Sequence, residues 1–346
     1  MQLRIDPDLH RPATTARPRL AFVGLGWIGR NRMQAIADQG GIDIVALADP
    51  SEDCVAEAAA LIPGVLVGRT LADALAAKPD GVVIASPSAL HAAQAIEALE
   101  AGCAVFCQKP LGRNAHEARA VVAAARKVDR LLAVDLSYRG TRALQMMHEG
   151  IRAGDIGQVF ALDLVFHNAY GPEKPWFYDK ALSGGGPLID LGVHLVDAAL
   201  WLLDFPRIVK VTGQIFRQGS NVVEDDKVED YATASLTTGA GAAVNLACSW
   251  RLHAGVEARI EIHAHGTEGG LSLTNPGGGF YDFALHRHNE TTTEPLLLPP
   301  DDWGGRMAQA WVRQLSVDAG FDPAAEQLIS LSEIIDRIYA SSRSGG

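Results

Sequence analysis

The chain has 346 residues, with 30 Lys+Arg against 41 Asp+Glu and a net charge of −11. That balance argues against a nucleic-acid partner, whose phosphates call for a cationic surface. At roughly 100–200 residues per domain the length predicts two domains, and 48% hydrophobic residues supply their cores.

Residues 1–18 carry Arg, Asp and Pro with no apolar run and read as a mobile tail, not a secretory leader. From residue 19 to about 140, short apolar runs alternate with Ala-rich stretches of helical length. Leu20–Val23, Ile44–Ala48, Val82–Ala85, Ala104–Cys107 and Leu131–Val134 read as buried strands. Ile28–Asp38, Ser51–Leu61, Leu71–Ala77, Ala89–Ala101 and Asn114–Val128 read as the helices between them. Strand–helix alternation of this kind predicts a doubly wound parallel sheet with helices on both faces.

Over 141–346 the pattern changes. Helices near 141–153 and 187–203 precede period-two runs at Val159–His167, Val209–Arg217, Tyr231–Thr237, Ala243–Trp250, Ala258–Ala264 and Phe280–Arg287. In the first run Phe160, Leu162, Leu164 and Phe166 share a face, as in a sheet covered on one side. The prediction is an α+β domain built on a large, mostly antiparallel open sheet. A final helix, Ala324–Ala340, is expected to pack back on the protein.

Leu188–Leu203 is apolar but broken by Asp190, His194 and Asp197, which rules against a membrane span. Cys54, Cys103, Cys107 and Cys248 show no zinc-type or C-x-x-C spacing; Cys103 and Cys107 bracket a strand and read as small buried groups. That usage suits a reducing cytoplasm. His263/His265 and His286/His288 place pairs on strand faces, but no cysteine or carboxylate cluster completes a site and no metal is expected.

Gly24-Leu-Gly26-Trp27-Ile28-Gly29 gives G-x-G-x-x-G after the first strand and at the start of the first helix. Asp49 ends the second strand twenty residues beyond Gly29. In this context the turn holds a dinucleotide pyrophosphate on the helix N-terminus, and Asp49 accepts from the ribose hydroxyls. With no Arg or Lys in Pro50–Asp53, the same carboxylate disfavours a 2′-phosphate, so NAD is expected over NADP.

Lys109, in Gln108-Lys109-Pro110, follows an apolar strand and so lies at the carboxyl end of the parallel sheet; it is one of only seven lysines. Ser183-Gly-Gly-Gly186-Pro187 then opens an apolar helix, the glycines leaving its N–H groups accessible. Asp190 and His194, at i and i+4, share one face of it, with Asp197 a turn further.

With these motifs in this order, including Ser86-Pro-Ser-Ala-Leu-His91, the sequence resembles the glucose–fructose oxidoreductase / inositol dehydrogenase (Gfo/Idh/MocA) family over nearly its whole length. The resemblance implies a Rossmann domain and an open-sheet domain with nicotinamide between them, and a homodimer or homotetramer formed through the sheet. It implies that Lys109, Asp190 and His194 surround the reacting hydroxyl or carbonyl, and that Ser86 and His91 line the cofactor. One departure is Gln108, beside the nicotinamide, where the family usually has Glu.

The reaction expected is reversible hydride transfer between NAD and a carbinol carbon of a sugar, inositol or related polyol. His194 serves as base, Asp190 orients that imidazole or the substrate, and Lys109 stabilises the alkoxide. Arg139, Asn168, Trp176 and Tyr178 are the candidate substrate contacts. A dinucleotide-binding sensor without turnover and an NAD-dependent glycosidase are the competing readings.

Overall fold

The computed structural model describes residues 17–222 and 226–344. The tail expected at 1–18 lies, through residue 16, outside the described residues. A parallel sheet forms from β1 (Arg19–Val23), β2 (Asp43–Ala48), β3 (Leu66–Gly68), β4 (Gly81–Ile84), β5 (Ala104–Cys107) and β6 (Leu132–Val134). Its order, β3-β2-β1-β4-β5-β6, is that of the doubly wound dinucleotide folds.

A nine-stranded sheet follows. Its strands are β7 (Val159–Asn168), β8 (Ile208–Arg217), β9 (Ser220–Asn221), β10 (Tyr231–Thr238), β11 (Ala243–Ser249), β12 (Ala258–Gly266), β13 (Gly270–Thr274), β14 (Ala284–Asn289) and β15 (Thr292–Leu297). Only β7 and β11 pair in parallel. The helices are α1 (Trp27–Gln39), α2 (Glu52–Ala59), α3 (Leu71–Leu75), α4 (Ser88–Glu100), α5 (Ala115–Val128), α6 (Arg142–Ala153), α7 (Lys180–Ser183), α8 (Val193–Leu202), α9 (Arg306–Val317) and α10 (Gln327–Ser344). The architecture is the one the sequence pattern predicts.

Side-chain alternation along the first strands builds two cores. Ala21, Val23, Val82 and Ile84 face α4 and α5, whereas Leu20, Phe22, Val83 and Phe106 face α1 and α9. Helix α9 is not anticipated in the sequence reading. It returns from the far end of the chain and sets Trp311 against Phe106, ring centroids 5.7 Å apart.

The second sheet buries Leu162, Leu164 and Phe166 beneath α8, but Phe160, expected on that face, is 54% exposed because it sits at the strand's opening end. The final helix lies against α5 and β8. Cys103, Cys107 and Cys248 are buried free thiols, and burial pushes the Cys103 thiol up to about 11. The stretch Lys180–Leu202 is long and apolar enough to cross a membrane, yet 89% of its most apolar 18-residue window is buried inside the protein.

Candidate active site

A cleft of about 680 Å³ runs along the carboxyl ends of the first sheet, closed on its far side by residues of the second half. Open α/β sheets leave such a crevice where the strand order reverses, here between β1 and β4.

At one end β1 turns through Gly24, whose φ of +85° favours glycine. A Cβ on Gly24 would meet backbone atoms of Ala85 and Ser86 at 2.4–2.5 Å, and one on Gly29 would stand 1.9 Å from the Gly24 carbonyl oxygen. Gly26, by contrast, faces open space, with nothing within 4 Å of an added Cβ. Helix α1 begins there with no side-chain cap and no acidic residue in its first turn. Its free N–H groups and positive dipole end therefore remain available to an anion, and the cradle fits a dinucleotide pyrophosphate. Trp27 and Ile28 line the cleft beside it.

Asp49, at the end of β2, accepts from the Leu25 amide at 2.7 Å and the Ser51 amide at 2.8 Å, which ties the glycine turn to the second strand. Ser86 and His91 also line the cleft. The His91 ring nitrogens lie 2.7 Å from the carbonyl oxygens of Ser86 and Pro110, bridging the loops after β4 and β5. Burial holds this imidazole below its ordinary range, against the pull of the two carbonyls.

Gln108 donates through Nε2 to Asp135 Oδ2, which also accepts from Arg32 Nε at 2.5 Å. Arg32 and Asp135 are each 1% exposed. This trio gives Gln108 a physical reason. A glutamate here would set a second carboxylate against Asp135 with a single guanidinium to serve both, whereas the carboxamide supplies a donor.

Lys109, Asp190 and His194 line the cleft together. The Lys109–Pro110 bond is cis. Lys109 Nζ donates to Asp190 Oδ1 at 2.5 Å and to the Asp190 carbonyl at 2.8 Å, and Trp250 Nε1 donates to Asp190 Oδ2 at 3.1 Å.

This corrects the expected Asp–His pair. Residues Leu188–Gly192 form a π-helical turn before α8, and the Asp190 carboxylate serves Lys109 and Trp250. His194 lines the same cleft with its ring edge-on to Tyr138, centroids 4.9 Å apart. Its Nδ1 is buried without a partner among the described residues. Burial first, then the charges of Lys109 and Arg32, holds the imidazole well below its ordinary pKa, which favours its neutral form.

The glycine run is also used differently from the sequence expectation. Its amides are not open: Gly186 and Leu188 donate to Glu229 Oε1 at 3.0 and 3.2 Å, as does the Tyr339 hydroxyl at 2.8 Å. A Cβ on Gly185 would lie 2.1 Å from that hydroxyl, so these glycines admit the buried Glu229–Tyr339 pair.

Of the four substrate candidates only Trp176 lines the cleft, stacked on Phe177 at 3.8 Å. Tyr178 turns outward, bonding Pro172 O and lying under Arg251. Asn168 is off the cleft wall, its Oδ1 buried without a partner among the described residues. Arg139 is likewise elsewhere. It forms a two-pronged pair with Asp197, at 2.5 and 2.9 Å, between the rings of Trp201 and Phe205.

Burial raises the Asp197 pKa and Arg139 draws it back, so Arg139→Met leaves a buried carboxylate alone. The expected cost is about 3–5 kcal/mol in urea unfolding. Unchanged stability together with a raised substrate KM would return Arg139 to the binding site.

Phe280 and Trp303 supply cleft wall that no local motif announces. Trp303 stacks on Tyr281 at 5.5 Å and covers Arg32 at 4.9 Å.

The family model described as the oxidoreductase family, NAD-binding Rossmann fold, matches residues 18–136, and that of the GFO/IDH/MocA C-terminal domain matches residues 144–272. The chain is similar to inositol 2-dehydrogenase of Rhodococcus erythropolis, 32% identical over 248 residues that span 70% of this chain and 68% of that one. It is 27% identical to D-glucoside 3-dehydrogenase of Escherichia coli over 287 residues, 78% of this chain and 79% of that one. Among solved structures, GenD2 from gentamicin A biosynthesis in complex with NAD superposes with a TM-score of 0.81 at 26% identity, covering 96% of this chain and 95% of that one.

Proposed function

The chain belongs to the Gfo/Idh/MocA family of NAD(P)-dependent oxidoreductases, and from that premise we propose that it interconverts a carbinol and a carbonyl carbon of a sugar, inositol or related polyol, with NAD as the preferred cofactor. The observation that carries this reading is the pairing of ends within one cleft. A glycine cradle and Asp49 stand at one end; a Lys109–Asp190 pair and a neutral His194 stand at the other.

NAD, when bound, supplies the acceptor for the hydride. The imidazole of His194 takes the hydroxyl proton, since burial keeps it unprotonated. Lys109 Nζ donates to the reacting oxygen and stabilises its developing charge. Asp190, held by Trp250, keeps that ammonium group in place. Trp176 presents a ring face to the C–H face of a sugar.

Residues 19–140 carry the dinucleotide and 141–346 the substrate half. Self-association through the open face of the nine-stranded sheet, as a homodimer or homotetramer, and a cytoplasmic location complete the proposal.

The test is a screen of sugars, inositols and other polyols with NAD, following NADH absorbance. Turnover of at least one of them supports the reading. NADH binding with no turnover of any alcohol or ketone would replace it with a sensor, and cleavage of aryl glycosides without net NADH release with a glycosidase.

A further inference from the structure

The adenosine end of the cleft holds a cation that the sequence around Asp49 does not disclose. Strand β3 is three residues long and pairs in parallel with β2, Ala48 opposite Gly68, so Arg69 leaves the sheet level with Asp49. Arg69 lines the cleft together with Asp49, Pro50, Ser51 and Thr70.

Its backbone is fixed: the Arg69 amide donates to Asp73 Oδ2 at 2.9 Å, and Thr70 with Asp73 forms a capping box at the start of α3. Its side chain is not fixed to the same degree. The guanidinium donates to Glu52 Oε1 at 2.8 Å and to the Pro50 carbonyl at 3.0 Å. The Arg69 and Glu52 side chains are 63% and 87% exposed, and an ion pair this open to water exchanges partners readily.

Asp49, meanwhile, has each carboxylate oxygen engaged by a backbone amide of its own neighbourhood. Its negative charge remains beside any second anion, so a cation at this end of the cleft is what a 2′-phosphate would need.

We propose that Arg69 is a cofactor-specificity residue: its guanidinium leaves Glu52 for a ribose 2′-phosphate, so the chain binds NADP(H) as a second dinucleotide whose affinity Glu52 restrains. The inference rests on reading the cleft as a dinucleotide site. A planar guanidinium matches a phosphate through two parallel N–H···O bonds, and Glu52 is the acceptor it must give up.

The experiment titrates NADH and NADPH separately into the full chain and follows nicotinamide fluorescence, with Arg69→Ala and Glu52→Gln alongside. The quantity read is the ratio of the two dissociation constants. Arg69→Ala is expected to shift that ratio against NADPH by about tenfold, the loss of one charge-assisted contact. Glu52→Gln is expected to shift it towards NADPH by about three- to tenfold. The NADPH constant should also weaken more steeply with salt than the NADH constant in the wild type, and should lose that difference in Arg69→Ala.

A ratio that stays put in both variants overturns the role of Arg69 while leaving the dinucleotide site intact. Failure of the wild type to bind NADH overturns the functional reading itself.

Discussion

Replacing His194 with Asn is expected to lower kcat for the proposed polyol oxidation by about 10²–10⁴-fold, the usual contribution of a positioned base. The asparagine keeps a polar group of similar reach but has no basic nitrogen, so the loss falls on kcat more than on KM. Steady-state kinetics alongside a thermal melt separate this from misfolding. A folded variant with wild-type kcat would remove His194 from the reaction.

The pH profile gives an independent reading of the same group. Burial and the nearby cations Lys109 and Arg32 all disfavour the imidazolium, so the base form persists below the ordinary value of 6.5. The acid limb of kcat/KM assigned to His194 should therefore lie below 6.5 and disappear in His194→Asn. A limb at or above 6.5 that this substitution abolishes would contradict the environment described.

The sign for stability follows the same logic. As pH falls through 6.5 the unfolded chain takes up a proton that the folded chain still refuses, so stability declines from there towards the folded pKa. The Asn variant should show a shallower acid decline in a pH series of urea melts.

Lys109→Met should lower kcat/KM by about 10²–10³-fold, the cost typical of removing one preorganised donor from a developing oxyanion. It also leaves the Asp190 carboxylate with Trp250 as its remaining side-chain donor, in a pocket where Asp190 is 15% exposed. Methionine retains the volume and reach of the aliphatic stem, so the loss reports the ammonium group and not a void. Single-turnover measurements with saturating NAD and a substrate found in the screen are the check. Turnover within threefold of wild type would show that Nζ does not touch the transition state.

What the sequence made legible was what is local. The strand–helix alternation from Leu20, the glycine turn and the Lys109, Asp190 and His194 positions depend on neighbours within one element or one turn, and all of them line or frame the cleft. Misplacements arose where a choice of face was needed. Arg139 and Tyr138 are adjacent in a single 3₁₀ turn, yet Tyr138 meets His194 while Arg139 turns away to Asp197. Phe177 and Tyr178 divide in the same way.

Asp190 and His194 do line one cleft, as their i, i+4 spacing suggests, but the carboxylate is taken by Lys109 and Trp250 and not by the imidazole. Asp135, Glu229, Trp250 and Trp303 were invisible for a different reason. Each reaches its partner across a large sequence gap, 103 residues for Asp135 with Arg32 and 60 for Trp250 with Asp190. Helix α9 did carry a local signal, with Ala308, Trp311, Val312 and Leu315 on one face. Its destination, the face of β1 and β5, was not written in that pattern.

That destination bears on how the protein emerges during synthesis. The face formed by Leu20, Phe22, Val83 and Phe106 is closed by Trp311, Val312 and Leu315, which leave the ribosome some two hundred residues after β5. Until then only α1 and α2 cover that face, and the part that α9 will take is open to chaperone capture or misassociation. The six strands of the first sheet are all made by Val134, but α9 is made only after the last strand of the second sheet, so this face is finished long after its strands exist.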